Sequence, residues 1–522
     1  MTPFTDRTRR LAQSLLAPAD GLMNRLYTWR FNPLYHSGAV VVVLLLIILV
    51  TGIYLLFFYR IGAPYASVER LADQWWLGSW MRSLHRYASD AAVVAVLIHM
   101  FRMFAQERSW GPRALAWVSG LVMLFVLFVS GWTGYVMVWD VQGLLLAREG
   151  ARLLDLLPLF SEPIARTFVG ERELPGAFFF LNLFLHVALP VGMGLGLWVH
   201  VSRVARAGLL PPRGLSWTVT GALLAMSVLW PAALGPAADL FRLPDTAPLD
   251  VFYSFWLPVS QAMPAWSVWL SSSAFSGVVL LVPWWARPAL EARPAPSVVN
   301  ERLCTGCTQC WVDCPYEAIA MVPRADAREE RVARVDPALC VSCGICAGSC
   351  APMGVGPPVR TGRDQLAAVR AFVSRNALDA QVVVVACTRG AGGVAASPEF
   401  QGAPVIPVDC AGSMHTSVVE YLVRSGAGGV LIVSCPPRDC WHREGPKWLE
   451  QRLYHDREAE LKPRVDRRRV RLVYAGLGER ATVRAALRTF QRDIGALEVA
   501  RPEDRVELDI ECERPAEEVL ER

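Results

Sequence analysis

Apolar residues are concentrated in the first 290 positions of the chain, in stretches long enough to cross a lipid bilayer. A helix of about 20 apolar residues spans the hydrocarbon core of a membrane. Six stretches have this length, and we expect each of them to be a membrane-spanning helix. They are residues 38–58, 85–104, 115–137, 178–201, 216–235 and 262–286.

From about residue 365 the pattern changes to short β-branched runs that alternate with helix-like stretches. The runs are Val382–Ala386, Val405–Val408, Val430–Ser434 and Val470–Tyr474. The helix-like stretches are residues 414–425, 447–460 and 480–495. This alternation predicts a small parallel α/β sheet. We therefore expect a multidomain chain, in which an all-α transmembrane helix bundle of six spans precedes a small α/β parallel-sheet domain.

Composition and charge support a membrane protein. The chain has 522 residues, of which 53% are hydrophobic, and its mean hydropathy of +0.31 is too high for one soluble globule. Before the first span there are basic residues but no apolar signal-peptide core: Arg7, Arg9, Arg10, Arg25 and Arg30. Basic residues also mark the connections expected on the same side: Arg102, Arg108, Arg113, Arg203, Arg206 and Arg213.

These arginines predict that the N-terminus lies in the cytoplasm, and six crossings return the chain to that side. We expect a multi-pass protein of the prokaryotic inner (cytoplasmic) membrane, surrounded by lipid. The net charge of +5 is then explained by membrane topology, and no nucleic-acid partner is expected.

Two pairs of histidines have the same spacing in two of the apolar stretches. His85 and His99 are 14 residues apart, and so are His186 and His200. Fourteen residues are nearly four helical turns, so each pair shares one helix face and is separated by about 21 Å. Imidazole is a common ligand of haem iron, and the duplicated spacing predicts two haems stacked across the bilayer within a four-helix core. The alternative is that these histidines cap helix ends or bond neighbouring helices.

The cysteines are confined to the other half of the chain, since all 13 follow residue 303. Haem attached through thioether bonds is therefore excluded from the membrane part. In a reducing cytoplasm, clustered cysteines indicate metal binding rather than disulfides. The exception is Cys512, which lies in an acidic tail without a partner and is expected to be structural.

Eight of the cysteines form the pattern C-x2-C-x2-C-x3-C twice. In this pattern, three closely spaced thiolates hold one 4Fe-4S cluster, and the fourth ligates the other cluster. The first ferredoxin cluster is therefore assigned to Cys304, Cys307, Cys310 and Cys350. The second ferredoxin cluster is assigned to Cys340, Cys343, Cys346 and Cys314. The alternative, zinc, favours two separated pairs of thiolates.

Four further cysteines follow closely on the predicted strands, and we call them the sheet-edge cysteines: Cys387, Cys410, Cys435 and Cys440. The carboxyl ends of parallel strands meet at one edge of a sheet, where such folds bind ligands. Four thiolates there suit a 2Fe-2S cluster. The alternative is that they are ordinary core residues.

Residues 24–285 resemble the cytochrome b of quinol-oxidising respiratory and photosynthetic complexes. The resemblance rests on the segments SLHR (83–86), GYVMVWD (134–140) and HVALP (186–190), and on glycine pairs with the 14-residue spacing of that family: Gly38, Gly52, Gly120 and Gly134. Glycine lets a flat macrocycle approach the backbone. The resemblance implies an outer-side haem held by His85 and His186, and a cytoplasmic-side haem held by His99 and His200. Arg82 and Arg86 are candidates for the haem propionates or, alternatively, for lipid headgroups.

The same family has a Pro-Glu-Trp-Tyr motif at its outer quinol pocket, and this chain departs from it. Ser254 stands at the position of the glutamate, and Asp250 is nearby but out of register. Val138 replaces the proline of the family before Trp139. A serine cannot accept a proton at neutral pH as a carboxylate does, so we do not expect bifurcated quinol oxidation at this face.

The rest of the chain resembles two iron–sulfur families. Residues 300–355 are similar to a bacterial α+β dicluster ferredoxin. Residues 380–497 resemble the delta subunit of methyl-viologen-reducing hydrogenase, an adaptor between hydrogenase and the flavoprotein of heterodisulfide reductase, on the segments VIPVDC (405–410) and GVLIVSCPPRDCWH (429–442). That family often has a second cysteine where this chain has Gly390. The expected parts are an N-terminal segment 1–36, a membrane domain 37–287, a linker 288–303, a ferredoxin domain 304–360, a delta-like domain 365–500 and an acidic tail 501–522.

These resemblances imply an electron-transfer subunit of a membrane oxidoreductase that exchanges electrons between the quinone pool and a cytoplasmic donor or acceptor. No Gly-x-Gly-x-x-Gly unit follows a strand, so nucleotide cofactors are expected only on a partner. That partner is a cytoplasmic flavoprotein, linked to NAD(P)H or ferredoxin, or a hydrogenase- or heterodisulfide-reductase-like subunit. Two alternatives remain: a membrane anchor and relay without a quinone site, and direct disulfide reduction at the clusters.

Overall fold

The computed structural model describes residues 3–157, 163–168, 174–202, 204–241, 250–287, 293–324, 331–390, 402–455 and 457–499. Arg203, Cys512 and the acidic tail lie outside the described residues. The chain divides into two compact units, Met1–Arg293 and Pro294–Arg522, and each is considered by itself.

The first unit is helical throughout its described part. Its helices are α1 (Pro3–Phe31), α2 (Ser37–Phe58), α3 (Pro64–Asp73), α4 (Gly78–Ala105), α5 (Ala114–Val138), α6 (Val141–Leu154), α7 (Gly176–Ser202), α8 (Arg213–Leu229), α9 (Leu257–Ala262), α10 (Ala265–Leu280) and α11 (Val282–Trp285). Four segments are long and apolar enough to cross a membrane: Ser37–Phe58, Gly78–Ala105, Gly111–Val138 and Gly176–Ser202. The first four predicted spans coincide with these segments.

The fifth and sixth predicted spans coincide with shorter helices, so a count of six spans is not confirmed. Helix α8 has 17 residues and ends at Leu229, before the predicted end at 235. Pro231 follows Trp230, and the residue before a proline is disfavoured in the helical conformation. Trp230 accordingly has ψ 76°. Helix α10 has 16 residues, and the chain starts the short helix α11 with Pro283 in its first turn.

Two helix pairs form the centre of the first unit: α2 packs along α4, and α5 packs along α7. Small side chains on α4 allow its neighbours to pack closely against it, and two of them, Ala88 and Ala92, are completely buried. Leu44 on α2 and Val136 on α5 belong to the same apolar core. This packing places the helices that carry the two histidine pairs beside helices that carry the paired glycines.

Helix α1 is a feature that the sequence pattern did not predict. One of its faces exposes large apolar side chains, including Leu11, Leu15 and Leu22. Its other face is anchored by ion pairs: Arg102 lies 2.6 Å from Asp20 on α1, and Arg9 lies 3.5 Å from Glu107. Two of the arginines interpreted as topological signals, Arg9 and Arg102, are therefore buried in the protein and also hold α1 in place.

The second unit begins with two small antiparallel sheets and two short helices. Strand β1 (Val298–Val299) pairs with β4 (Val355–Gly356), and β2 (Ile319–Pro323) pairs with β3 (Arg331–Val335). Helices α12 (Gln309–Val312) and α13 (Ile345–Ser349) lie within the two cysteine motifs. Strand β1 lies within the predicted linker, so part of that segment pairs with the strand after the second motif.

The remainder of the second unit is a parallel α/β domain, as predicted. Strands β5 (Val382–Cys387), β6 (Val405–Val408), β7 (Gly429–Ser434) and β8 (Val470–Tyr474) form a parallel sheet in the order β6-β5-β7-β8. The helices are α14 (Gly362–Arg375), α15 (Thr416–Arg424), α16 (Gly445–Tyr454) and α17 (Arg480–Val499). Helix α16 ends six residues before the predicted end at 460. The sheet is buried on both faces, since β5 and β7 contain no exposed residue.

Candidate metal centres

Four histidines of the membrane unit, His85, His99, His186 and His200, lie in two opposed pairs on α4 and α7. The ring centroids of His85 and His186 are 6.2 Å apart. Two metal–imidazole bonds of about 2 Å account for about 4 Å of this distance, and the two ring radii account for the remainder. The space between the rings therefore fits one iron atom with an imidazole on each side. His99 and His200 form the other pair and interact electrostatically.

Each histidine ring has a hydroxyl group at its Nδ1 atom. Thr51 Oγ1 lies 2.9 Å from Nδ1 of His85, and Thr133 Oγ1 lies 3.1 Å from Nδ1 of His186. The other two distances are 3.5 Å for Ser37 Oγ to His99 and 3.1 Å for Ser119 Oγ to His200. The four hydroxyl groups come from α2 and α5, the helices that face the histidine helices.

Backbone carbonyl groups indicate which nitrogen carries the proton. Nδ1 of His186 lies 2.8 Å from the carbonyl oxygen of Ser130, and the carbonyls of Ile48 and Ala116 lie near the rings of His85 and His200. A carbonyl can only accept, so we assign the proton to Nδ1. The lone pair is then on Nε2, which is the form of imidazole that binds iron.

The paired glycines lie directly against the histidine rings. A Cβ atom at Gly38 would be 2.8 Å from Cε1 of His99, and one at Gly134 would be 2.9 Å from Cε1 of His186. At Gly52 and Gly120 the corresponding distances are 3.1 and 3.3 Å, to His85 and His200. The structure thus gives these glycines a more direct role than contact with a macrocycle, because a side chain at these positions would push the imidazole away.

A sequence signal for these sites was missed. Each of the four glycines is preceded by a residue with a hydroxyl group, giving Ser-Gly or Thr-Gly at 37–38, 51–52, 119–120 and 133–134. Within each helix the two dipeptides are 14 residues apart, the same spacing as the histidines. Both the hydroxyl and the glycine contact one ring, so the dipeptide is the motif rather than the glycine alone.

The two arginines predicted near the haems have protein partners. Arg82 donates to the carbonyl of Ala232, but its Nε is buried and has no hydrogen-bond partner among the described residues. Arg86 lies 3.7 Å from both Asp90 and Asp250. The Nε of Arg86 also lacks a hydrogen-bond partner among the described residues, so both arginines have a free donor that fits a carboxylate such as a propionate.

The departure from the family motif at Ser254 is accommodated by hydrogen bonds. Ser254 is buried, and its Oγ accepts from Nε2 of Gln142 at 3.2 Å and from the backbone N–H of Asp250 at 2.9 Å. Asp250, which is out of register with the glutamate of the family, accepts from the hydroxyl of Tyr135 and from the backbone N–H of Phe252. Both side chains therefore have structural roles around the short helix α9.

The eight ferredoxin-type cysteines lie close enough together for thiols of both assigned groups to act on one another. Burial, followed by the neighbouring thiols Cys346, Cys350, Cys307 and Cys304, raises the pKa of Cys310 well above its usual range. In the second group, burial raises the pKa of Cys346 to about 12, and Cys314, Cys340 and Cys350 add to the effect. Such raised pKa values mean that the protonated thiols are favoured when no metal is bound. A positively charged iron centre stabilises the thiolates and so removes these protons.

Donors placed around these sulfur atoms suit an anionic cluster. The backbone N–H groups of Ala318 and Gly354 lie 3.3 and 3.2 Å from the sulfur atoms of Cys314 and Cys350. The backbone N–H of Ser297 lies 3.4 Å from the sulfur of Cys340. Hydrogen bonds to the sulfur atoms stabilise the reduced, more negative state of such clusters. The residues present therefore fit 4Fe-4S clusters.

The sheet-edge cysteines are buried and connected by sulfur contacts. The sulfur atoms of Cys387 and Cys435 are 3.6 Å apart, and Cys440 contacts both Cys435 and Cys410. Gly445 lacks a side chain where two of the sulfur atoms approach it. A Cβ atom at Gly445 would be 2.9 Å from the sulfur atom of Cys410. The four thiols thus meet where the carboxyl ends of the strands lie, and they fit a small iron–sulfur cluster.

Position 390, where the delta-subunit family often has another cysteine, also lies at this edge. A Cβ at Gly390 would be 3.1 Å from the sulfur of Cys435. No three Cys, His, Asp or Glu side chains in the described part of the chain converge as ligands of one metal ion do.

Comparisons with known proteins divide the chain in the same order. Residues 23–208 match the family model of cytochrome b/b6/petB, residues 303–354 that of the 4Fe-4S dicluster domain, and residues 386–498 that of the methyl-viologen-reducing hydrogenase delta subunit. All three resemblances expected from the sequence are confirmed. Cytochrome b implies haem b, and the dicluster domain implies 4Fe-4S clusters.

Individual relatives include two cytochrome b subunits of respiratory complexes. The cytochrome b subunits of menaquinol:cytochrome c reductase from Geobacillus thermodenitrificans and Bacillus subtilis (strain 168) are each 25% identical over 186 residues, which are 34% of this chain and 82% of theirs. A chain of a solved hyperthermophilic respiratory Complex III is 17% identical, covers 50% of this chain and 78% of its own length, and has a TM-score of 0.39. The two cytochrome b relatives and the family matches to cytochrome b and the dicluster domain indicate a membrane electron-transfer subunit.

Proposed function

We propose that this chain is the membrane subunit of an oxidoreductase complex that links the quinone pool to a cytoplasmic donor or acceptor. Electrons pass through two b haems, two 4Fe-4S clusters and one 2Fe-2S cluster to or from a partner flavoprotein. The partner binds the nucleotide cofactor. It is a flavoprotein linked to NAD(P)H or ferredoxin, or a hydrogenase- or heterodisulfide-reductase-like subunit.

The observation that carries the proposal is the fourfold repeat at the histidines. At each ring, a hydroxyl group bonds to Nδ1 and a glycine leaves room for the imidazole. This arrangement orients Nε2 toward the opposite helix. His85 and His186 are assigned to the outer-side haem, and His99 and His200 to the cytoplasmic-side haem. A bound haem carries one electron at a time, and two haems separated by about 21 Å along the helices move charge across the membrane.

The orientation is part of the proposal. The iron–sulfur part lies in the cytoplasm, and the membrane is the prokaryotic inner membrane. Basic residues in the N-terminal helix support this orientation, since Arg7, Arg10, Arg25 and Arg30 precede the first span. The cytoplasmic-side haem is then the haem that exchanges electrons with the clusters.

The haem assignment is tested by replacing one histidine of each pair. His186→Ala removes the outer-side haem and leaves the other, and His200→Ala does the reverse. Haem content and the reduced-minus-oxidised spectrum of the purified protein measure this. Unchanged haem content in His186→Ala contradicts the pairing.

A second candidate function is a relay without its own quinone site. It is favoured by Ser254, which replaces the carboxylate of the family and whose Oγ is already engaged by Gln142 and Asp250. Quinone-analogue inhibition separates the two functions. If a quinone analogue slows reoxidation of the haems in the isolated protein, the chain has a quinone site; if reoxidation is unaffected in the presence of quinone, the relay is correct.

A further inference from the structure

A buried arginine stands at the meeting point of the ferredoxin part and the α/β domain. Arg452 on α16 is only 1% exposed. Its NH1 donates to Oγ of Ser349 at 3.0 Å, and its NH2 donates to the carbonyl of Gly412 at 2.6 Å. NH1 also lies 3.8 Å from the carboxylate of Asp313. One guanidinium group therefore connects three separate segments.

Each of these three segments carries a candidate cluster ligand. Asp313 precedes Cys314, Ser349 precedes Cys350, and Gly412 follows Cys410 by two residues. Space for the guanidinium is provided by Gly348, where a Cβ would lie 2.6 Å from NH2 of Arg452. The carboxylate of Asp313 is fully buried and also pairs with Arg457. The cation is thus held among loops of different clusters.

The second ferredoxin cluster is the one that faces the sheet-edge cysteines. Gly344 follows Cys343, and a Cβ there would be 2.9 Å from the Cβ of Ser413, in the loop after Cys410. Trp448 on α16 packs against Cys343 and Ile345. Cys343 is also among the groups whose charge acts on Cys410. The loop of the second ferredoxin cluster is therefore in direct contact with the loop of the sheet-edge site.

Arg452 retains a donor that no protein atom uses. Its Nε is buried and lacks a hydrogen-bond partner in the part of the chain that the structure describes. Burial lowers the pKa of Arg452 to about 10, with Asp313 opposing the effect, so the side chain is a cation at neutral pH. The thiols on which its charge acts include Cys410 at the sheet edge and Cys346 in the second ferredoxin cluster. A buried unpaired donor beside cysteine loops suits an anionic iron–sulfur centre.

We propose that Arg452 is a positioning residue that raises the reduction potentials of the second ferredoxin cluster and the sheet-edge centre, and that these two centres form the step at which electrons cross between the domains. This inference rests on the proposed function. In that step one electron leaves the reduced centre and enters the oxidised one, and no proton or bond is involved. The cation stabilises the reduced, more negative state of both centres, and burial keeps the interaction from being screened.

The test is a redox titration of the full-length holoprotein, followed by electron paramagnetic resonance with soluble mediators. We expect Arg452→Gln to shift the potentials of these two centres to more negative values, while both haems shift less. Arg452→Lys, which keeps the charge, should restore most of the shift. Arg464→Gln is the matched control, because Arg464 is 61% exposed in its side chain and pairs with Glu420 on the surface of the same domain. Equal shifts in Arg452→Gln and Arg464→Gln, or no shift with all clusters present, overturn the proposal.

A second measurement does not depend on a stable variant of Arg452. In the fully reduced wild-type protein, magnetic coupling should split the signal of the second ferredoxin cluster. Cys387→Ser, which removes a sheet-edge ligand, should remove the part of the splitting that the sheet-edge centre causes and leave the part that the first ferredoxin cluster causes. A second-cluster signal that is the same in both proteins contradicts the adjacency. Neither measurement uses quinone or a partner protein, so a chain without quinone activity can still pass both tests.

Discussion

At each candidate haem ligand, one hydroxyl group and one glycine from the facing helix contact the same imidazole. The hydroxyl and the nearby carbonyl hold the Nδ1 proton, and the glycine sets how closely the ring approaches the helix. The positions of the candidate histidine ligands are therefore set by neighbouring residues that do not themselves bind iron. A change at such a residue should remove the haem without removing its ligand.

The first prediction concerns Gly134. In Gly134→Ala a methyl group would lie 2.9 Å from Cε1 of His186, so the ring must move and the outer-side haem should be lost or bound more weakly. Haem content should fall from two toward one per chain. Gly192→Ala on α7 is the control, because no atom lies within 4 Å of the added methyl. The same haem loss in both variants argues against the ring-contact role of Gly134.

The second prediction concerns Ser254, whose hydroxyl is used for structure. Ser254→Ala leaves the donors of Gln142 and Asp250 without their acceptor, which should reduce stability by about 1–3 kcal/mol. Electron-transfer activity should stay within about twofold, because the hydroxyl carries no proton to or from quinone. Thermal unfolding and steady-state rates measure the two effects. Activity lost while both haems remain would reveal proton chemistry at this position.

At the scale of elements, hydrophobic pattern was sufficient for helices and strands with strong periodicity. The four strands of the parallel sheet were predicted, because β-branched runs between glycine- and proline-rich loops have few other conformations. The ends of helices were less predictable. Proline at 231 ended α8, and α1 escaped detection because its apolar residues are interrupted by arginines and by Pro18.

Helix α14 was also missed, although its start carries a recognisable signal. Thr361 accepts from the backbone N–H of Asp364, whose side chain accepts from the backbone N–H of Thr361, which is a capping box. We predict that Thr361→Ala destabilises this helix by about 1 kcal/mol. Hydrogen exchange of the amides of 362–375 in the full chain should become faster, and that of α17 should not change. Ser374→Ala, near the exposed end of the same helix, is the control.

For the whole molecule, the order of the modules was predictable, because each module carries a motif that is local in sequence. The meeting of the ferredoxin part with the α/β domain was not. Arg452 lies in a helical stretch with Lys447 nearby, and nothing in the local pattern distinguishes it from a surface residue. Its burial depends on Asp313 and Ser349, more than 100 residues away along the chain. The periodicity of apolar residues indicates local secondary structure, and it does not reveal contacts between segments that are far apart in the sequence.

A further prediction at this scale concerns iron. The chain should contain two haems and roughly ten irons in clusters, from two 4Fe-4S and one 2Fe-2S centres. Cys435→Ser should lower the cluster iron by about two and leave the haem content unchanged, since Cys435 belongs to the sheet-edge site alone. Iron analysis with haem quantification measures both. Zinc in place of iron in anaerobically prepared protein contradicts the assignment.

The closeness of Cys387 and Cys435, with sulfur atoms 3.6 Å apart at the ends of adjacent strands, has a consequence for biogenesis. Before iron arrives, the same two thiols are neighbours that an oxidant can join into a disulfide. A chain oxidised in this way would be folded yet closed to the metal. Assembly of this centre therefore has to occur while both thiols are reduced.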